Sequence, residues 1–243
     1  MTIALSPTED DAVKALRLFI SSILPANTPV VRGQVNRVPE VSSVNFIVIT
    51  PVRRERIETN VDQFVDTKAT ASIDGNVMTV DGKSYGLLKI GSVLFGTGIV
   101  LSTQVVSQLS GSVGGTGVYT VSGSQAMSSS IVAAGVLNAL QPIELTLQLD
   151  AHGPLGGDNA QRITTMLRDD YAFSWMKRQG LGVLPLTCDD PKQIPFINAE
   201  NQFEDRWVIE ACLQVNAAVT DIPQEFFEAV VIGFIPADTV YPT

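Results

Sequence analysis

The residues Ile143-Glu-Leu-Thr-Leu-Gln-Leu-Asp-Ala151 alternate apolar and polar side chains without a fault. Successive side chains of a strand point to opposite faces, so this run predicts a β-strand burying Ile143, Leu145, Leu147, Leu149 and Ala151 on one side. A strand with one apolar face needs a second layer to cover it, and two amphipathic stretches can supply that layer. Val13, Leu16, Ile20, Ile23 and Leu24 recur at helical spacing. Ahead of them stands Ser6-Pro7-Thr8-Glu9, where Ser6 caps, Pro7 suits the first helical position and Glu9 completes a capping box, giving a helix over 7–24 ended by Pro25. Ala160, Ile163, Met166 and Leu167 form a second stripe. It follows the breaker Gly153-Pro154-Leu155-Gly156-Gly157 and the cap-like Asp158-Asn-Ala-Gln161, and Gly180 stops it near 178.

Further strands complete the layer. Val30 to Val38 and Phe46 to Val52 predict a hairpin, Trp207, Ile209, Ala211, Leu213 and Val215 alternate, and Ala229 to Ile235 predicts a short last strand. Residues 1–66 and 138–243 then form a discontinuous α+β core, a small mixed or antiparallel sheet with two helices on one face. Residues 67–137 differ in kind. No charged residue occurs between Lys89 and Glu144, and Asp74-Gly75, Asp81-Gly82 and Gly114-Gly115 punctuate short runs rich in Val, Ser and Thr. That pattern predicts a small all-β domain inserted between the halves of the core.

The net charge is −9, and the 16 Lys and Arg are scattered, so no basic footprint for nucleic acid is expected. Cys188 and Cys212 have no zinc-ligand or redox spacing and are expected to be reduced core thiols. The first ten residues lack the pattern of a secretory signal. The most apolar run, Ile131 to Leu140, is too short to span a membrane.

Chemistry is sparse. His152 is the single histidine, expected at the surface or an interface at a strand end, and every histidine-based triad or metal cluster would have to pass through it. Gly82-Lys83-Ser84 has Val77 where a phosphate loop needs glycine. Asp169-Asp170 is expected as a solvated helix surface, Asp189-Asp190-Pro191 as a turn start. No catalytic residue, cofactor or metal site is expected. The residues singled out are contacts. Arg53, Arg54 and Arg56, alternating with Glu55 and Glu58, suit a subunit or tube interface. Pro195, Phe196 and Phe203 lie in a long proline- and aromatic-bearing connection, which suits an arm laid on a neighbour.

Together these segments resemble the neck or tail terminator family of tailed bacteriophages. The resemblance rests on Val31-Arg-Gly-Gln-Val-Asn-Arg-Val-Pro39, Phe46-Ile-Val-Ile-Thr-Pro51, Thr59-Asn60-Val61-Asp62, Leu147-Gln-Leu-Asp-Ala-His-Gly-Pro154 and Asp158-Asn-Ala-Gln161. It continues through Pro185-Leu186, Asp190-Pro191, Pro195-Phe-Ile-Asn198, Glu204-Asp-Arg-Trp207 and Gln214-Val-Asn216. The resemblance implies a non-enzymatic virion protein of the neck or tail, assembled in the host cytoplasm as a hexameric ring. Such a ring caps the tail tube, contacts the tube protein and the head-completion or connector protein, and lets DNA pass through a neutral to acidic lumen without sequence-specific binding or any membrane. Residues 67–137 depart from the family's usual connection. The alternative is a baseplate- or fibre-associated binding protein that uses this module as its recognition surface.

Overall fold

A computed structural model describes residues 3–34, 44–197 and 203–223; the expected last strand at Ala229 to Ile235 lies outside them. The elements are β1 (Ala4–Ser6), α1 (Glu9–Ile23), β2 (Val30–Arg32), β3 (Phe46–Arg56), β4 (Val61–Tyr85), β5 (Val93–Gly96), β6 (Val105–Gly111) and β7 (Gly117–His152). After them come α2 (Gly156–Leu167), α3 (Asp170–Gln179), β8 (Val183–Cys188), β9 (Lys192–Gln193), β10 (Phe196–Ile197), β11 (Phe203–Glu204) and β12 (Arg206–Pro223). The chain divides into two compact units. One holds Phe64–Asn138 and the end of β12 from Asp221; the other holds Ile3–Gln63 and Ala139–Thr220.

The expected α+β class with a small sheet is overturned. Strand accounts for 57% and helix for 18%, and ten strands join one mixed sheet, so the protein is mostly β. Strand length explains the error. Gly, Ser and Thr carry no apolar stripe that would mark one face, and the sequence from Gly117 onward therefore reads as short runs and turns. In the structure its backbone stays paired as far as His152, where the legible alternation ends.

In the helix-bearing unit the sheet order is β1-β12-β7-β3-β2, and β8 and β9 also pair with β12. The ladder of β3 on β7 is antiparallel, from Phe46 opposite His152 to Arg56 opposite Ile143, with a register shift between Pro51 and Arg53. The hairpin expected from Val30 to Val52 is not formed by the described residues, and the part of its first strand from Val35 to Val38 lies outside them. Instead β2 lies parallel to β3, Val30 opposite Ile47, because β-branched runs favour strand without encoding its direction. The predicted strand face is correct: Leu145, Leu147, Leu149 and Ala151 are buried, and Ile143 packs partly buried beside them.

Among the described residues three helices, not two, cover that face. The first is capped by Thr8 rather than Ser6, since Ser6 pairs with Ala218 in β1. The Thr8 Oγ1 accepts from the Asp11 amide at 3.2 Å, and the Asp11 carboxylate accepts from the Thr8 amide at 2.9 Å, a capping box two residues later than expected. The second expected helix is broken in two. Asp169 and Asp170 are exposed as expected, and Asp169 also accepts from the Tyr171 amide at 2.8 Å and caps α3; Gly180 ends α3 in the left-handed region as expected. Leu16, Phe19 and Ile20 of α1 pack with Ile163 of α2 and Met176 of α3 over Ile47, Ile49, Leu147 and Leu213. The Phe19 and Trp175 rings meet edge-on at 5.5 Å.

The other unit has a core of its own, made by Ala69, Ala71, Ile73, Met78, Val80, Leu94, Val105, Tyr119, Val121 and neighbours. The extended segment β4 doubles back at the expected Asp74-Gly75 turn. A side chain at Gly82 would touch Thr70, and one at Gly86 would strike the Asp66 carbonyl. Antiparallel pairing sets β5 on β7 with Val93 opposite Gly135, and β6 on β7 with Val105 opposite Val121. Tyr119, fully buried, donates its hydroxyl to the Gly115 carbonyl at 2.6 Å.

The Thr8 bonds hold the Asp11 carboxyl below the ordinary aspartate range. Such a group contributes stability above its unfolded-state pKa, and loses it as pH falls through the native one. Asp11→Asn is therefore expected to be less stable than the parent at neutral pH in thermal unfolding, with the gap closing in acid. A gap independent of pH would show that the carboxylate charge plays no part.

Candidate assembly surfaces

Alternation along β3 separates the arginines that the sequence groups together, and the register shift decides which face each takes. Arg54 stands opposite Leu145 and Arg56 opposite Ile143, on the helix-bearing side, while Arg53 and Glu55 take the other side. Each has a partner within the chain. Arg54 pairs with Glu9 in the first turn of α1, and Arg32 of β2 joins the same group through Glu9 at 2.6 Å and through Asp10. Arg53 pairs with Glu55 at 2.8 Å, and the Arg56 Nε donates to the Glu58 carbonyl at 2.7 Å. Glu9 and Asp10 lie at the positive end of a helix, where negative charge is favoured. Beside them opens a groove of about 370 Å³, floored by Ile143, Leu145, Val215 and Ala217 and rimmed by Glu9, Arg54 and Arg56. Ion pairs this exposed contribute at most about 1 kcal/mol each, so the arginines remain open to exchange partners.

The proline-bearing connection is not a bare loop. Its first part becomes β8 and β9 on the edge of β12, with Leu213 opposite Pro185 and Trp207 opposite Gln193. Pro195 is exposed, and β10 pairs with β11 as a separate two-stranded ribbon in which Phe196 stands opposite Glu204. Phe203 is 81% exposed, and Ile194 and Ile197 are exposed as well. Polar bonds tie the base of the ribbon to the sheet. The Glu204 carboxylate lies 3.0 Å from the His152 Nδ1, and the Gly153 amide donates to the Asp205 carbonyl at 2.9 Å. Gly153 has φ +90°, and a Cβ there would lie 2.0 Å from the Val44 carbonyl oxygen, so no other residue fits.

His152 stands at the end of β7, the strand end expected for it, but is buried rather than on the surface of the chain, and stacks on Phe46 with ring centroids 4.5 Å apart. Residues directly opposite on antiparallel strands come this close, so the histidine joins ribbon to sheet. Beside it lies a network that sequence reasoning missed. Arg206 donates from Nε at 2.9 Å and Nη2 at 2.7 Å to the buried Asp150, which also accepts from Gln148. The available signal was the polar half of the alternation, Gln148, Asp150 and His152, facing the even-numbered positions of β12. Asp189-Asp190-Pro191, expected as a turn start, leads out of β8: the Asp189 amide donates to the Glu210 carbonyl at 2.8 Å and Asp190 pairs with Arg168 at 2.9 Å. Cys188 is buried and Cys212 partly so, both as free thiols. Among the described residues no His, Cys, Asp and Glu cluster could hold a metal ion, and no helix is long and apolar enough to cross a membrane.

The model of the phage neck terminator protein family matches residues 98–238. The chain belongs to this family. It is thus a bacteriophage structural protein of the neck, which places it in the neck or tail of the virion and in association with other tail and head proteins. The span matched to the neck terminator family contains the later motifs of the resemblance, Leu147–Pro154 through Gln214–Asn216. The earlier ones, from Val31 to Asp62, precede it, and residues 98–137 of the glycine- and serine-rich segment fall inside it. No curated protein matches the chain.

Two outcomes follow from the buried polar groups. Burial raises the Cys188 thiol to about 11, so at mildly alkaline pH it should resist alkylation until the protein unfolds; mass spectrometry showing rapid labelling of native Cys188 would contradict this. Arg206→Met leaves the buried Asp150 without its cation and should destabilise by roughly 3 kcal/mol in urea unfolding. Adding Asp150→Leu should recover most of that loss.

Proposed function

We propose that this neck protein is a tail terminator without enzymatic activity, forming a hexameric ring that caps the tail tube and joins the tail to the head connector. The observation that carries the proposal is the family match over residues 98–238. The ribbon supports it as a contact element, since Phe203 is held far into solvent by strands tied at their base. Ring neighbours or the tube would meet Pro195, Phe196 and Phe203 on this ribbon and Arg53, Arg54 and Arg56 on β3. An exposed aromatic such as Phe203, and exposed arginines, are the residues that interfaces enrich. The net charge of −9 suits a lumen that repels phosphate and lets DNA slide. Residues 1–66 and 138–243 would form the ring core and 67–137 an inserted module; the module's separate buried cluster supports the insertion, although the end of β12 from Asp221 groups with the module.

The test is complementation of a phage lacking the gene, scored by electron microscopy. The expected null shows heads separate from tails of irregular length, and the parent restores joined particles. Phe203→Asp, expected to fold normally because Phe203 is exposed, should cut joined particles by about tenfold, and Arg53, Arg54 and Arg56 replaced together by Ala should fold normally and assemble poorly. Labelled protein at the baseplate or fibres instead of the neck would overturn the proposal.

A further inference from the structure

Two loops of the β-module present bare apolar side chains. Leu101 and Val113 are each 88% exposed, and Leu109 beside the second loop is 61% exposed. The module's core closes without them. Both loops are clamped, each by one glutamine. Gln125 accepts from the Val100 amide at 2.7 Å and donates to the Thr103 Oγ1 at 3.1 Å. Gln108 accepts from the Gly114 amide at 3.1 Å and donates to the Ser112 carbonyl at 2.7 Å. Ser102, next to Leu101, sits at φ 64°, a strained conformation for a residue with a Cβ. Loops fixed in this way hold their apolar tips ready for a partner, and a preorganised contact loses little entropy on binding.

Charge selects the partner. From Phe64 to Asn138 the charged residues are Asp66, Asp74, Asp81, Lys68, Lys83 and Lys89, so this stretch is neutral and the net charge of −9 lies outside it, part of it at the end of β12 that joins the same unit from Asp221. Copies of an acidic chain repel each other. The run from Ile90 to Asn138, which carries both loops, has no charged residue, so copies can approach there with less of that repulsion and bury the apolar tips. We propose that the loops carrying Leu101 and Val113 form a contact between copies of this chain, module against module. This deepens the ring reading by naming a place where neighbours meet.

The test is light scattering of the full-length protein over a concentration series. Three variants are compared with the parent: Leu101→Asp with Val113→Asp, the same pair to Ser, and Leu18→Asp on the exposed face of α1 as a control. The parent should associate. The Asp pair should weaken association by about tenfold or more, because a carboxylate buried without a partner is costly; the Ser pair should do so less, and the control not at all. A parent that stays monomeric at every concentration, or an Asp pair that associates like the parent, overturns the contact. If the Asp pair associates normally while labelled protein lies at the neck, the contact fails and the terminator reading stands. If the Asp pair dissociates the oligomer while the label lies elsewhere, the terminator reading fails and the contact stands.

Discussion

The ladder along β7 is the constraint on which the rest of the protein depends. A strand must satisfy the amides and carbonyls on both of its sides, and β7 does so with a succession of partners. Pairing with β6 and β5 places Tyr119, Val121, Val132 and Ala134 in the core of the module. Pairing with β3 places Leu145, Leu147 and Leu149 beneath the helices. One covalent run thus contributes to two hydrophobic cores.

The polar side of the same strand organises the assembly surfaces. Asp150 fixes Arg206 at the start of β12, and His152 fixes Glu204 at the end of the ribbon. These bonds are shielded from water, so they resist exchange far better than the exposed pairs of Arg53 and Arg54. The contrast separates two kinds of charge in this protein, one that positions elements and one that remains free to meet a neighbour.

The sequence made the alternating face of β7 legible because apolar periodicity there is strict, and α1 was legible for the same reason. Its cap was misplaced by two residues because Ser6 and Thr8 both head capping patterns, and only the pairing of Ser6 with Ala218 decides between them. The direction of β2 and the split at Asp169 depend on long-range packing that no local pattern carries. The arginines were visible as a cluster, but the shift after Pro51 that turns Arg54 and Arg56 to the helix-bearing side was not. The ribbon's exposed Phe203 could be suspected from sequence, whereas the ribbon's anchor of Glu204 on His152 could not, since Glu204 and His152 stand 52 residues apart.

The far edge of β12 carries a last consequence. A strand of 18 residues open along one side would be a template on which another chain could grow a fibril. Here that side is patched by β9, then β8, then β1, pieces of two, six and three residues. Each patch is too short to pass on a long backbone imprint, and each breaks the register of the one before it. This protection against amyloid-like stacking is built from chain geometry rather than charge, so it should persist at salt concentrations that screen the acidic surface.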